Sequence, residues 1–165
     1  MIGKITTLLL IGGMLMMPVE AANKANENAE LLAISLIAKY EGFRSTVYVC
    51  PGGKKTIGYG FTDPTLIAKG TITKQEADKV LGKEVRARLA KLRKMVTGLT
   101  PKQEAAAVSL MYNIGETAFT NSTFLKKLKA KDMTSARSEI KRWNKSNGKE
   151  LAGLTKRRNA EAAWI

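Results

Sequence analysis

The segment from Thr73 to Val96 opens on a capping box, Thr73 with Glu76, and then carries Ala77, Val80, Leu81, Val85, Leu89, Leu92 and Val96 on one stripe of helical period. A long amphipathic helix satisfies this pattern, provided that other elements cover its apolar face. The opposite face holds Lys79, Lys83, Arg86, Lys91, Arg93 and Lys94, which reads as the solvated side of a core-packed helix in preference to a membrane-surface helix. A second start follows at Thr100, Pro101 and Gln103, with proline at the first helical position. The run AAAVSLMYNIG after it is apolar nearly all round, which places this helix in the centre of a helical lobe. Further helices are expected at 122–130, 134–145 and 155–164, broken by Lys131 and Asp132 and then by Asn147 and Gly148.

β-type sequence is confined to an early stretch. Thr46 to Val49 and Lys55 to Phe61 flank Pro51, Gly52 and Gly53, which reads as a hairpin or small sheet, with Gly58 and Gly60 permitting close backbone approach. Ahead of it, NAELLAISLIAKYEGF sets Leu31, Leu32, Ile34, Leu36 and Ile37 at helical spacing, with Gly42 at the end. Glu41 therefore falls in or just past a last helical turn. The helix dipole opposes negative charge there by about 0.3–1 kcal/mol at an exposed site, so a glutamate serving only solubility is poorly placed. The sum is α+β: one small sheet, then a larger helical lobe, with a cleft between them. A chain of 165 residues suits one domain around a single core and buries roughly 70% of its unfolded surface.

Composition then limits the chemistry. With 28 Lys and Arg against 14 Asp and Glu the net charge is +14, a field that draws in polyanions such as nucleic acid, anionic lipid or the bacterial cell wall. Histidine is absent, which excludes Ser/His/Asp triads, Cys/His nucleophile pairs and histidine zinc sites. The one cysteine, Cys50, has no partner for an internal disulfide. Catalysis must rest on carboxylates, the thiol, hydroxyls or lysines. The N-terminus has Lys4 ahead of an apolar stretch from Ile5 to Val19, then Glu20 and Ala21. That is the layout of a secretory signal, with cleavage expected after Ala21, or of an uncleaved anchor giving transient inner-membrane association through residues 5–19. Pro18 and Glu20 close the stretch short of the ~20 residues a spanning helix needs. Residues 22–165 are then the folded domain, 22–62 holding the helix and small sheet and 63–165 the helical lobe. Export and the lack of aromatics among the basic runs argue against nucleic acid as a partner.

Hydrolysis of a glycosidic bond needs a proton donor for the departing oxygen and an acceptor for the attacking water on the other side of the sugar. A carboxyl keeps its proton near neutral pH when burial disfavours its charge. Glu41 at the helix end, Cys50 on the hairpin and Thr56 on the returning strand are spaced so that they can meet at one gap.

The residues EGF, Cys50 and TIGYG, together with LTPKQEAAAVSLMYNIGETAFTNSTFLKKL and KRWNKSNGKELAGLTKRRNAEAAW, resemble the phage-type lysozymes of glycoside hydrolase family 24. The resemblance covers residues 28–165. It implies a muramidase that cleaves the β-1,4 bond between N-acetylmuramic acid and N-acetylglucosamine in peptidoglycan, without metal or organic cofactor, as an exported monomer in host-cell lysis. It makes Glu41 the general acid, sets Cys50 at the position usually held by aspartate that orients or activates water, and Thr56 at the threonine that helps hold that water. Arg157 matches an arginine near the catalytic glutamate, and Asn113 a substrate-contacting amide. Two positions depart from the family pattern. A free thiol titrates at about 8.5 and accepts protons less readily than an aspartate unless positive charge is near, from Arg157, Lys54 or Lys55. Phe61 stands where the family more often has histidine, and aromatic packing is the simplest reading. Alone, Glu41 would be a surface glutamate, KRR at 156–158 a solvated basic patch, and Tyr112 and Trp143 core residues. The competing function is a non-catalytic cationic protein that binds wall or membrane on the same scaffold.

Overall fold

A computed structural model describes residues 19–50 and 53–165. The stretch from Ile5 through Pro18, and Pro51 and Gly52 of the hairpin turn, lie outside the described residues. Helix α1 (Val19–Glu41) leads into β1 (Arg44–Val49) and β2 (Lys55–Gly58), followed by α2 (Pro64–Lys69), α3 (Lys74–Met95), α4 (Pro101–Ile114), α5 (Glu116–Thr120), α6 (Thr123–Lys129) and α7 (Met133–Lys141). A second hairpin, β3 (Lys145–Ser146) and β4 (Lys149–Glu150), precedes α8 (Ala152–Ala162). The architecture is α+β, with one hydrophobic core in the described residues that runs from α1 to the C-terminus. No helix among the described residues is long and apolar enough to cross a membrane.

Both start signals operate as their chemistry dictates. Thr73 accepts from the Glu76 N–H while Glu76 accepts from the Thr73 N–H, and Thr100 and Gln103 do the same for α4. Along α3 the side chains of Ala77, Leu81, Val85, Leu89 and Leu92 are buried. Seven consecutive residues of α4, Ala105 to Met111, are buried, so this helix is the central one. Against it lies α1, whose buried stripe is Ala29, Ala33, Leu36 and Ile37. Leu31, grouped by spacing with the apolar residues of α1, is 66% exposed. Alanines at 29 and 33 share the buried side with Leu36 and Ile37, and Leu31 falls on the opposite side of the helix.

The first sheet is the β1–β2 hairpin, with Tyr48 opposite Thr56 and Val49 opposite Lys55, and an irregularity between Arg44 and Tyr48. Beyond β2 the chain turns tightly through Gly58–Gly60, so that Ile57 and Phe61 exchange hydrogen bonds. Gly58 has φ +67°, and a Cβ there would lie 2.6 Å from the Phe61 ring, so only glycine fits. Phe61 is buried, with its ring edge-on to Tyr59 at 6.2 Å. Two bonds hold this turn against the helical lobe: the Tyr59 hydroxyl donates to Asp78 Oδ1 at 2.7 Å, and the Tyr112 hydroxyl donates to the Tyr59 carbonyl at 2.8 Å.

The C-terminal third differs from the sequence expectation. The helix expected over 134–145 ends at Lys141, and the one expected to start at 155 starts at Ala152. Between them Asn147 and Gly148, both at positive φ, form the two-residue turn of the β3–β4 hairpin. Asn-Gly is a strong hairpin signal as well as a helix breaker, and the strands it joins are too short to show alternation. The short α5 also goes beyond the sequence expectation.

Acid should loosen this fold in a definite window. Lys69 holds the Glu76 carboxyl down to about 2 from an ordinary 4.5, with the Thr73 N–H assisting, and Ser135 and Lys127 hold Asp132 down to about 2 from 3.8. Carboxyls depressed in the folded state stabilise it above their unfolded values and lose that contribution as pH falls through the folded ones. Thermal melts should therefore give a level Tm above about pH 5 and a decline from about 4.5 towards 2, with a shallower decline in Glu76→Gln. Thr73→Ala should cost about 1 kcal/mol, a fall in Tm of about 2–4 °C for a chain of this size.

Candidate active site

Glu41 is the last residue of α1, and its side chain is 22% exposed. Gly42, at φ +68°, turns the chain away, its N–H donating to the Ala38 carbonyl. The carboxylate is held on one side by Arg157 of α8, whose Nη1 donates to Glu41 Oε1 at 2.5 Å. On the other side the β2 return approaches: a Cβ built on Gly60 would stand 3.5 Å from Glu41 Oε2. A Cβ there would be in ordinary contact with the carboxylate, and it is φ +89° that favours glycine.

Arg157 is itself almost wholly buried and is shared between three elements. Nε donates to Glu161 Oε1 at 3.1 Å, one turn along α8, while Nη2 donates to the Ser109 carbonyl at 3.1 Å and to Ser109 Oγ at 3.2 Å on α4. Glu161 Oε1 also accepts from Ser109 Oγ at 2.6 Å and from Arg158 Nη2 at 2.8 Å. Arg158 Nε faces Glu161 Oε2 at 2.7 Å as an ion pair too misaligned for a hydrogen bond. Two carboxylates and two guanidiniums thus form a charge-balanced network inside a chain of net charge +14. Burial pushes the Glu161 carboxyl up and brings the Arg158 guanidinium down to about 10, and their mutual contact opposes both shifts.

A pocket of about 370 Å³ opens against Glu41 and Arg157, lined also by Tyr40, Asn113, Leu151, Gly153 and Leu154. The Tyr40 ring lies 5.9 Å from the Arg157 guanidinium carbon. A second pocket, of about 480 Å³, lies between α2, α3 and α5, with Phe61, Asp63, Leu66, Glu84, Arg88 and Glu116 in its walls. Tyr112 stands between the two: Arg88 stacks on its ring at 4.9 Å, and it is followed in α4 by Asn113. Burial raises the Tyr112 hydroxyl well above its ordinary range, with Glu41 and Glu84 adding to the effect, so it remains a donor.

Of the five residues singled out in the sequence, the structure gathers Glu41, Arg157 and Asn113 at one pocket. Cys50 and Thr56 stand on the hairpin, outside that lining. Cys50 is a free, half-buried thiol at the start of the turn, where its N–H donates to the Lys54 carbonyl and its carbonyl accepts from the Gly53 N–H. Thr56 is buried and its hydroxyl donates to the Tyr48 carbonyl at 3.3 Å. The basic run at 156–158, a solvated patch on sequence grounds, instead buries Arg157 and Arg158 and exposes Lys156. Sequence reasoning missed Glu161 and Ser109. The spacing of Glu161, four residues after Arg157 and three after Arg158, was the available signal. For Ser109 there was none.

A helical lobe with a small hairpin is the fold of solved phage lysozymes. The phage lysozyme family model matches residues 38–161, and the chain belongs to that family. It is 43% identical over 133 residues to an endolysin of Acyrthosiphon pisum secondary endosymbiont phage 1, covering 78% of this chain and 90% of the relative. It is 30% identical over 122 residues to the SAR-endolysin of Bacteriophage PS119, covering 73% of each. In fold it is similar to the endolysin from Escherichia coli O157:H7 phage FAHEc1, with TM-score 0.70 at 30% identity over 81% of this chain and 89% of that one.

Replacing Glu161 by Gln would leave Arg158 and part of Arg157 buried without counter-charge. The expected loss is about 3–5 kcal/mol in urea unfolding, far above the cost of a surface ion pair such as Lys74 with Asp78.

Proposed function

We propose that Glu41 is the proton donor of a muramidase reaction on peptidoglycan, and the observation that carries the reading is its seat at a helix end, against a buried arginine, in the wall of a pocket. The chain is a glycoside hydrolase of the phage lysozyme type, which acts on the cell wall in host lysis. Glu41 delivers its proton to the bridging oxygen as the glycosidic bond breaks, and water attacks the anomeric carbon from the opposite face of the sugar. Cys50, aided by Thr56, orients that water and accepts its proton, which then passes to solvent. Arg157 fixes the Glu41 carboxyl, and because Glu161 shares its charge it does not act on Glu41 as an isolated cation. Asn113 presents an amide to the glycan in the same pocket.

Residues 5–19 then serve as an export signal or releasable anchor, a reading in keeping with a relative named SAR-endolysin. Helix α1 includes Val19–Glu41, so the cleavage expected after Ala21 falls within it. The intact mass of the exported protein should correspond to a chain starting at Ala22 for a cut signal, and to the full chain for an anchor.

Reducing ends released from purified peptidoglycan test the chemistry. Glu41→Gln should lower kcat by about 10²–10⁴-fold. Equal lysis by that variant would remove the glycosidase account in favour of a cationic binding protein. Cys50→Ala should lower kcat on the order of 10²-fold and Cys50→Asp should retain it, whereas unchanged kcat in Cys50→Ala would leave the thiol without a role.

A further inference from the structure

Leu151 occupies the N-cap position of α8 and makes no side-chain capping bond. Ser, Thr, Asn and Asp stabilise such a position by accepting from the first N–H groups of the helix, and leucine does not. The same side chain is 44% exposed, so packing does not compensate. An exposed leucine taken alone is ordinary. Leu151 differs from Leu31 and Val49, the other large exposed apolar residues among those described, in lining the pocket that holds Glu41 and Arg157.

Its placement is fixed by the backbone around it. The Leu151 N–H donates to the Asn144 carbonyl at 2.9 Å across the base of the β3–β4 hairpin, and Asn144 Nδ2 donates to Thr155 Oγ1 on α8 at 3.2 Å. An apolar side chain whose backbone is fixed in this way thus lines, together with Leu154, a pocket whose Glu41, Asn113 and Arg157 are polar or charged. Where a sequence breaks a local rule and no packing gain is visible, function is the expected reason.

We propose that Leu151 is a specificity-determining contact for the methyl group of an N-acetyl substituent on the glycan. The inference rests on the muramidase reading and deepens it. Sugars of the wall strand present mainly hydroxyls and ring oxygens to a protein, and their acetamido groups combine an amide with a terminal methyl. Asn113 and Leu151, on the same pocket, match that combination: the side-chain amide pairs with the amide, and the leucine covers the methyl. Contact of this kind acts on the bound substrate and the transition state alike, so it appears in KM and leaves kcat unchanged.

Kinetics on native peptidoglycan and on chemically N-deacetylated peptidoglycan test this, with Leu151→Ser, Leu151→Ala and Leu151→Met. On the native wall, Leu151→Ser and Leu151→Ala should raise KM about tenfold at constant kcat, and Leu151→Met should restore KM to near the parent value. Leu151→Ser should keep or raise Tm, since serine caps α8, which separates the effect from misfolding. On the deacetylated wall, parent and variants should share one KM. Equal KM values on the native wall overturn the proposal, as does the same rise on both walls, which would assign the contact to another methyl such as that of the lactyl ether. If the parent enzyme releases no reducing ends from either wall, the muramidase reading fails instead, and binding of parent and variants to the two walls by sedimentation still decides whether Leu151 recognises the acetyl group.

Discussion

Arg157 is the residue on which the geometry of the site depends. One guanidinium joins the end of α1 through Glu41, the middle of α4 through Ser109 and the next turn of α8 through Glu161. Taking such a group out of water is expensive, and the expense is offset only when most of its donors are engaged and its charge is balanced. Both conditions hold here. The consequence is that Glu41 cannot shift without disturbing α8, and α8 cannot shift without exposing a buried charge. Preorganisation of this sort is what the proposed proton donor requires, because misplacement of even an ångström costs rate.

The hairpin lobe is fastened by different means. Tyr112 and Tyr59 carry hydrogen bonds from α4 to the β2 return and from that return to α3, and the buried Phe61 fills the tight loop between them. With Gly60 beside Glu41, this places the return from β2 next to the carboxylate, while Cys50 and Lys54 stand at the other end of the hairpin. The hairpin lobe is thus registered on the helical lobe through one backbone carbonyl, that of Tyr59, and one side-chain carboxylate, that of Asp78.

The helical lobe was largely legible in the sequence, because capping boxes at Thr73 and Thr100 and a long apolar stripe are local signals with one strong structural solution. Glu41 was legible through its awkward position at a helix end and through the motifs around it. Arg157 could be placed near Glu41 only by resemblance, and the burial of Arg158 was invisible: nothing local distinguishes a basic run that will be enclosed from one that will be solvated. Leu31 misled for the opposite reason. Hydrophobicity alone favours leucine for burial, whereas the buried face of α1 is set by Ala29, Ala33, Leu36 and Ile37, and Leu31 lies off it. The β3–β4 hairpin was hidden by its brevity, although Asn147–Gly148 marks it.

The neutrality of the buried network has a further consequence for how the molecule can vary. Two guanidiniums and two carboxylates are paired in this network, so the +14 excess is carried by lysines and arginines elsewhere, and many of the lysines are exposed. Attraction to an anionic surface therefore draws mainly on charges other than those paired around Glu41. Capture can drift, strengthened or weakened residue by residue to suit a different host envelope, while the ion pairs around Glu41 keep their partners.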